Sequence, residues 1–252
     1  MERDVLIARV RKMAPWAQGG ASPIRGGRDA AVARLRTLDV ATYGKTRNAT
    51  DGAVLRISPY VRHGVIGLHE LRDAAWDDGQ WPERFVQQLA WRDYFQRLYR
   101  AEPETLWQSR EPLKTGWGES DYADELPDDI AAGDTGEAAM DGFIAELVGT
   151  GWLHNHARLY LAAYVVHWRR VSWQTGARWF LSHLLDGDPA SNNYSWQWVA
   201  STFSNKPYYF NLDNLQSFAG NTVDTAYARN KAFAGSYEDL RERLFPRVEG
   251  SW

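Results

Sequence analysis

The chain has 252 residues, of which 44% are hydrophobic and 24% are charged, and its formal net charge is −3. These values are typical of an ordinary globular protein with a substantial core. Because cysteine is absent, disulfides, thiolate catalysis and cysteine-ligated zinc or iron–sulfur clusters are excluded. No apolar run is long enough for a signal peptide or a membrane span, so the sequence predicts a cytoplasmic protein that does not enter membranes.

The first part of the chain is predicted to be helical after an N-terminal extension. Residues 1–26 are basic and rich in Gly and Pro, and they are expected to wrap the surface. Apolar residues at helical spacing predict helices over 27–40 and 60–75, with a loop at 41–59 between them. A third helix, over 82–101, begins near Pro82 and carries an aromatic stripe.

The remainder follows the same pattern after an acidic stretch. Most of the acidity lies in 101–150, around "GWGESDYADELPDD", and this stretch is mostly loop. Its charge leaves a mildly basic remainder with room for a positive groove, although a solvated acidic loop is the more ordinary reading. Further helices are predicted over 137–149, 153–168, 172–186, 193–203 and 236–245. Without strand alternation or repeats, the sequence predicts a mainly α fold with a single helical domain.

The stretch "LLDGDPASNNYSWQW" combines acids, amides and indoles at a predicted helix junction. Asp and Asn often cap helices at such places. The same side chains can also bond the ring nitrogens and carbonyls of a heterocycle. A buried Asp186 or Asp188 would be costly without a partner such as an arginine or a ring N–H. The stretch is therefore a candidate ligand site as well as a capping sequence.

Two other stretches have polar groups on a helical face. In "TGWLHNHARLY", Trp152, Asn155 and Arg158 recur every three residues, after a helix start predicted at Thr150 and Gly151. The i, i+2 spacing of its two histidines points them apart and argues against a shared metal, so no metal site is predicted.

In "QQLAWRDYF", Gln88, Trp91 and Arg92 occupy adjoining helical positions. The arginine can reach an aspartate or a phosphate while the tryptophan lies against a flat ligand. The alternative is a surface arginine beside a core tryptophan. Thirteen tryptophans and twelve tyrosines also allow a simple aromatic core.

Taken together, "SPYVRHG", "WRDYF", "TGWLHNHAR" and "LLDGDPASNNYSWQW" resemble the flavin-binding domain of the cryptochrome/photolyase family, over about residues 43–211. The resemblance implies a helical domain standing alone, without the family's N-terminal α/β antenna domain. It divides the chain into an N-terminal extension at 1–26, the FAD-binding domain at 27–211 and a C-terminal extension at 212–252 packed on that domain.

The resemblance implies that FAD is the cofactor and assigns residues to it. Asn192 should face flavin N5, while Asp186 and Asp188 contact the flavin or ribose. Positions near the phosphates match Tyr43 and Ser58. Because Val54 and Leu55 replace the family's usual hydroxyl residues, phosphate binding is expected to shift to Arg47, Arg56 or backbone N–H groups. The residues expected to line the FAD cavity are Arg92, Trp152, Asn155 and Arg158.

The resemblance also implies an electron path and a substrate pocket. Trp196 and Trp173 match the first two members of the family's tryptophan chain. Counting places the third on Ser120, so Trp117 or Tyr122 is the expected substitute. Residues matching the substrate side are Trp91, Trp198, His156 and Gln88.

The repair signatures are incomplete. Gln88 stands where enzymes that repair cyclobutane dimers usually carry Glu, and the paired histidines of six-four repair align with Asn155 and Leu159. The leading hypothesis is a monomeric, FAD-dependent, light-driven photolyase, a lyase acting on pyrimidine dimers in single- or double-stranded damaged DNA. The alternatives are a cryptochrome-like blue-light photoreceptor, a light-independent flavin redox protein, and a helical protein with a vacant pocket.

Overall fold

The computed structural model describes residues 2–16, 20–76, 81–248 and 250. Within these ranges the regular structure is helical, and the single β-bridge there, between Ala123 and Val171, forms no strand. The predicted mainly α fold with a single helical domain is confirmed. In chain order the α-helices are α1 (Arg3–Met13), α2 (Arg28–Leu35), α3 (Val40–Thr46), α4 (Ser58–Arg62), α5 (Leu68–Ala74), α6 (Glu83–Ala101), α7 (Asp128–Ala132), α8 (Ala138–Thr150), α9 (Asn155–Ala163), α10 (Trp173–His183), α11 (Pro189–Ala200), α12 (Leu212–Ala219) and α13 (Tyr237–Leu244).

Two groups of buried side chains organise these helices. The larger group, here called the main core, is built mainly by α8–α12 and includes Phe143, Tyr160, Trp196 and Phe210. Leu215 of α12 belongs to it as well, so the segment after residue 211 packs into the same interior. The smaller group is formed by α2–α5 with the start of α6, and we call helices α2–α5 the N-terminal layer. Its buried members are Ala31, Tyr60, Ile66, Leu71, Ala75 and Phe85.

Several predicted elements in the first hundred residues are wrong in detail. Helix α1 lies inside the predicted surface extension, and it buries no residue. Helix α3 lies inside the predicted loop, where the Asp39 side chain accepts a hydrogen bond from the Thr42 N–H and caps the helix. The predicted helix over 60–75 is two short helices, because Gly64 adopts a φ of 67°, which a continuing helix does not allow.

The helix boundaries around the candidate ligand stretches also differ from the prediction. Thr150 and Gly151 end α8, and Gly151 terminates it in the left-handed conformation at a φ of 70°. The next helix, α9, begins at Asn155, with His154 as its cap, and continues as a π-helix over Tyr164–Trp168. Helix α11 begins at Pro189, four residues before the predicted start, because the Asp188 side chain caps it.

In the part of the chain that the structure describes, no helix has the length and apolar character needed to cross a bilayer. The same residues contain no group of three or more histidine, aspartate or glutamate side chains that could hold a metal ion.

Candidate functional site

A cavity of about 470 Å³ lies between the N-terminal layer and the helices of the main core. Most of its wall is apolar, with a few polar side chains, a composition typical of small-molecule and cofactor sites. Helices α4, α5 and α6 supply one side, and α9, α10 and α11 supply the other. The predicted site residues that line it are Ser58, Gln88, Trp91, Arg92, Asn155, Arg158, Asp186, Asp188, Asn192, Trp196 and Trp198.

Two buried aspartates in the loop between α10 and α11 are each paired with an arginine. Both carboxylate oxygens of Asp186 accept hydrogen bonds from Arg158 Nη2, at 3.0 and 2.8 Å. Asp188 lies 3.2 Å from Arg92 Nη2, and its Oδ2 accepts a bond of 2.6 Å from Gln96 Nε2. Since both acids are buried, these partners offset the desolvation of their negative charges.

The same loop is bound by the N-terminal layer through its backbone. Arg62 Nε donates to the carbonyl of Gly187 at 2.7 Å, and His63 Nε2 lies 2.9 Å from the carbonyl of Leu185. Asp188 also accepts from the Ser191 N–H at 2.8 Å, which starts α11. The position of the acids is therefore set from both sides of the cavity.

The first turn of α11 presents two small polar groups to the cavity. The Asn192 amide nitrogen donates to the carbonyl of Ala177 and to Asn193 Oδ1, at 3.1 and 3.0 Å. Both amide hydrogens are thereby engaged, so Oδ1 is the atom that Asn192 can offer to a ligand. Ser191 also lines the cavity, and its Oγ is buried without a hydrogen-bond partner. A buried hydroxyl in that state fits a site that a ligand completes.

Trp196 forms part of the inner wall and is held tightly. Its ring packs edge-on against Phe180, with centroids 4.8 Å apart, and only 2% of the residue is exposed. A Cβ added to Gly176 of α10 would lie 2.3 Å from atoms of the same ring. The glycine therefore allows the close approach of α10 and α11 on which the orientation of this indole depends.

The mouth of the cavity is aromatic and open to solvent. Trp91 of α6 and Trp198 of α11 line it while remaining 48% and 42% exposed. Gln88 lies one helical turn before Trp91 on the same wall. Tryptophans are most often packed in the interior, so two exposed indoles beside a hollow are suited to contact a flat ligand.

Trp152 is buried behind the lining of the cavity. Its Nε1 donates to Ser58 Oγ at 3.2 Å, and the guanidinium of Arg56 lies 4.5 Å from its ring centroid. Arg56 adopts a φ of 50°, an uncommon conformation for a residue with a Cβ. The hydrogen bond to Ser58 joins the N-terminal layer to the loop between α8 and α9.

Three further predicted residues lie outside the lining. Tyr43 packs edge-on against Phe85, with ring centroids 5.3 Å apart, and the Nε of Arg47 is buried without a partner. His156 stacks on Tyr160 at 4.5 Å, and its Nδ1 lies 2.6 Å from the carbonyl of Asn48. Burial lowers the pKa of His156, which favours the neutral imidazole. Their cofactor and substrate roles stay predictions.

The other tryptophans predicted for electron transfer also lie away from this cavity. Trp173 is buried and lines a second hollow of about 270 Å³. Trp117 packs against two guanidinium groups, whose central carbons lie 3.5 Å (Arg170) and 3.9 Å (Arg247) from its ring centroid. Trp107, which sequence reasoning missed, lines the second hollow together with Trp173. The sequence carried no signal for it, since Trp107 lies in the acidic stretch outside every quoted motif.

Comparisons with known proteins agree with this arrangement. A family model described as the FAD binding domain of DNA photolyase matches residues 85–233, more than half of the chain. A deoxyribodipyrimidine photo-lyase of Streptomyces griseus is 38% identical over 151 residues, which are 60% of this chain and 32% of that protein. The counterpart in Escherichia coli K12 is 31% identical over 150 residues, 54% of this chain and 29% of its own length. The chain thus spans about a third of these curated relatives.

Solved structures show the same helical arrangement. The archaeal photolyase of Sulfolobus tokodaii, whose crystal structure holds two FAD molecules, superposes with a TM-score of 0.67 at 25% identity, covering 96% of this chain and 55% of its own. A Synechocystis cryptochrome superposes with a TM-score of 0.69 at 20% identity, covering 94% of this chain and 53% of its own, which shows the fold alone. The chain therefore belongs to the family of FAD binding domains of DNA photolyase, whose cofactor is FAD.

Proposed function

We propose that this chain binds FAD in the cavity and repairs pyrimidine dimers in DNA under light. The observation that carries the proposal is one hollow with two arginine-paired aspartates inside and two exposed tryptophans at its mouth. When bound, FAD would supply the light-driven electron transfer that splits a dimer. The curated relatives that the chain matches are deoxyribodipyrimidine photo-lyases, although it covers about a third of their length.

The residues present fit the cofactor. The cavity volume of about 470 Å³ is within the range of about 300–1,000 Å³ usual for ligand sites. Ser191 Oγ is buried without a partner in its lining, and Asn192 is fixed with Oδ1 free to accept. Asp186 and Asp188 add two acceptor groups that are already neutralised by arginines. These groups would orient a polar heterocycle, while the apolar wall excludes water from it.

The substrate would enter at the aromatic mouth. A dimer extruded from the DNA stack loses pairing and stacking, at a cost of a few kcal/mol that is smaller for a damaged base pair. Trp91 and Trp198 would offset this cost by packing against the extruded bases. Gln88 would bond pyrimidine carbonyls through its amide N–H groups, but it cannot protonate them.

For the electron path we propose Trp173 and Trp196, with electrons supplied from outside by a thiol reductant. Trp196 lines the cavity. Trp173 begins α10, the helix whose Gly176 closely approaches the Trp196 ring. Trp117 remains a candidate for the outer member, although the two guanidinium groups beside it disfavour an oxidised, cationic indole. Trp107 is the competing candidate because it shares a hollow with Trp173.

A repair assay tests the function directly. FAD-loaded, reduced protein is illuminated with blue light in the presence of oligonucleotides carrying a thymine dimer or a six-four product, single- or double-stranded. We expect restoration of intact thymines in the light and none in the dark. If FAD-loaded protein leaves both lesions unchanged, the repair proposal fails.

A blue-light photoreceptor is the second candidate function. The observation that favours it is Gln88, an amide at the position where cyclobutane-dimer repair enzymes usually carry a carboxylic acid. In that case illumination would change the absorbance of the bound cofactor without changing any lesion. Under either function, the monomeric state and the cytoplasmic location stay proposals.

The electron path has its own test. Trp196→Phe removes the indole from the cavity wall while keeping an aromatic ring, and we expect light-dependent reduction of bound FAD by an external thiol to be largely lost. FAD content, measured after protein denaturation, should stay near that of the unmodified protein. Trp107→Phe and Trp117→Phe, compared side by side, identify the outer member by the larger slowing. Unchanged photoreduction in Trp196→Phe would contradict the path.

A further inference from the structure

We propose that a second, shallower groove beside the cavity mouth binds an unpaired, undamaged base that neighbours the lesion. The groove has a volume of about 550 Å³ and is here called the outer groove. The inference rests on the proposed function, since it concerns the DNA strand that the cavity would engage. The residues that line the outer groove are Gln87, Ala90, Trp91, Tyr94, Phe95, Trp198 and Phe203.

The outer groove and the cavity share a wall. Trp91, Phe95 and Trp198 line both hollows, so the two exposed indoles have the cavity on one side and the groove on the other. A strand whose two joined pyrimidines enter the cavity would carry the next nucleotide past these indoles. The groove is the aromatic surface that this nucleotide would meet first.

The groove is exposed and is suited to stacking. Tyr94 is 44% exposed, and its ring centroid lies 5.7 Å from those of both Trp91 and Phe95, edge-on against Trp91. Phe203 also lines the groove, and the guanidinium of Arg110 lies 4.9 Å from its ring centroid. Bases stack on such aromatic platforms whatever their identity, because every base presents a π-face. The expected ligand is therefore a nucleobase without a preferred sequence.

The charges around the outer groove favour a nucleic-acid strand. None of its lining residues carries a carboxylate, and the neighbouring acids Asp93 and Glu102 are paired with Arg97 and Arg110. Arg97 follows Tyr94 by three residues on α6, which places it on the same face of the helix. It pairs with Asp93 at 2.7 Å, but 73% of its side chain is exposed. An exposed pair of this kind is weak, so Arg97 can turn to a backbone phosphate.

A base can reach the groove only when it is not paired. The inference therefore predicts that the protein prefers lesions in single strands or in locally opened duplexes over those in intact duplexes. A second copy of this chain or a protein partner would also cover apolar rings, but neither needs the cation at Arg97 nor the continuity with the cavity. Both are outcomes of the test below.

The test compares Tyr94→Ala with Tyr99→Ala in the FAD-loaded protein. Tyr99 lies on the same helix and is 36% exposed, but it does not line the groove, which makes it a matched control. Affinity is measured for a single-stranded oligonucleotide carrying one thymine dimer. Loss of one stacked base predicts a decrease of about five- to 160-fold for Tyr94→Ala, and essentially no change for Tyr99→Ala. Retained FAD content and an unchanged unfolding midpoint show that both variants are folded.

A second oligonucleotide, with an abasic site next to the dimer, isolates the contact. If Tyr94 stacks that base, the abasic site weakens binding to the unmodified protein. When the abasic site lies on the side of the lesion that Tyr94 contacts, Tyr94→Ala should weaken binding no further. Full affinity in Tyr94→Ala, while the unmodified protein repairs dimers, would overturn the groove and leave the proposed function intact. The groove proposal would also be overturned if the only effect of Tyr94→Ala were to convert a protein homodimer to monomers, as measured by analytical sedimentation. Coupling to the abasic site without any repair would support the groove and refute the repair proposal alone.

Discussion

The two sides of the cavity are built by different means. The side formed by α9–α11 and their loops places polar side chains in the interior and satisfies them, as with Arg158 and Asp186 or the Asn192 amide. The N-terminal layer contributes mainly aliphatic groups to the lining, among them Val61 and Leu71, and keeps its ion pairs on the surface. Apart from Gln88 and Arg92 of α6, the binding chemistry is therefore concentrated on the side formed by α9–α11, and the N-terminal layer mostly covers it.

This difference predicts which substitutions lower the stability of the fold most. A buried charge or a tightly packed ring has no alternative partner when its neighbour changes, whereas a surface pair is replaced by water. Matched substitutions on the two sides should therefore change the free energy of unfolding by unequal amounts. Equal changes would contradict the contrast between the two sides.

The largest difference is expected between Arg158→Ala and Arg28→Ala. Removing Arg158 leaves Asp186 buried without its cation, which should lower the free energy of unfolding by about 3–5 kcal/mol. Arg28 forms an exposed pair with Glu70 in the N-terminal layer, so its removal should cost far less. Urea unfolding at one fixed FAD concentration measures both variants. Equal losses would contradict the asymmetry.

A second comparison uses two helical glycines. Gly176→Ala forces a methyl group into the Trp196 ring, and overpacking of this kind should cost about 1–3 kcal/mol. Gly44→Ala in α3 meets nothing within 4 Å and should be neutral or stabilise the protein by up to about 1 kcal/mol. Thermal unfolding shows the sign of each effect. A Gly176→Ala variant as stable as the unmodified protein would mean that Trp196 is not held as described.

The last effect concerns pH and is absent at neutral pH. Complete burial lowers the pKa of His167 from 6.5 to about 4. Between these two values the unfolded chain binds a proton that the folded protein does not, so stability falls as the pH decreases, by up to about 1.4 kcal/mol per pH unit. His167→Gln should flatten the decline by that amount relative to the unmodified protein. The check is urea unfolding between pH 7 and 4.5, and an unchanged slope in His167→Gln would contradict it.

The sequence predicts the fold class well because segments such as α8 bury a regular helical face. It fails where a local signal opposes the helix. Polar residues and Gly44 made α3 look like a loop, although the Asp39 side chain caps it. The region 60–75 has helical spacing throughout, but the left-handed Gly64 divides it. Neither feature is visible in hydrophobic periodicity alone.

Much of the candidate site was accessible to motif reasoning, since the acids, Asn192 and the mouth tryptophans all line one cavity. The pairing of Arg92 with Asp188 was not, because the two residues are far apart in sequence and only the packing of α6 on α11 brings them together. The isolation of Trp117 between two arginines was hidden for the same reason, as Arg247 comes from the end of the chain.

The hydrogen bonds from Arg62 and His63 to the backbone between α10 and α11 have a thermodynamic consequence. They attach the loop that carries Asp186 and Asp188 to both the N-terminal layer and the main core, which have separate groups of buried side chains. A cofactor seated there would couple the unfolding of one unit to that of the other. The apoprotein should then open its N-terminal layer by sub-global fluctuations, and hydrogen exchange in α4 and α5 should slow most when FAD is added.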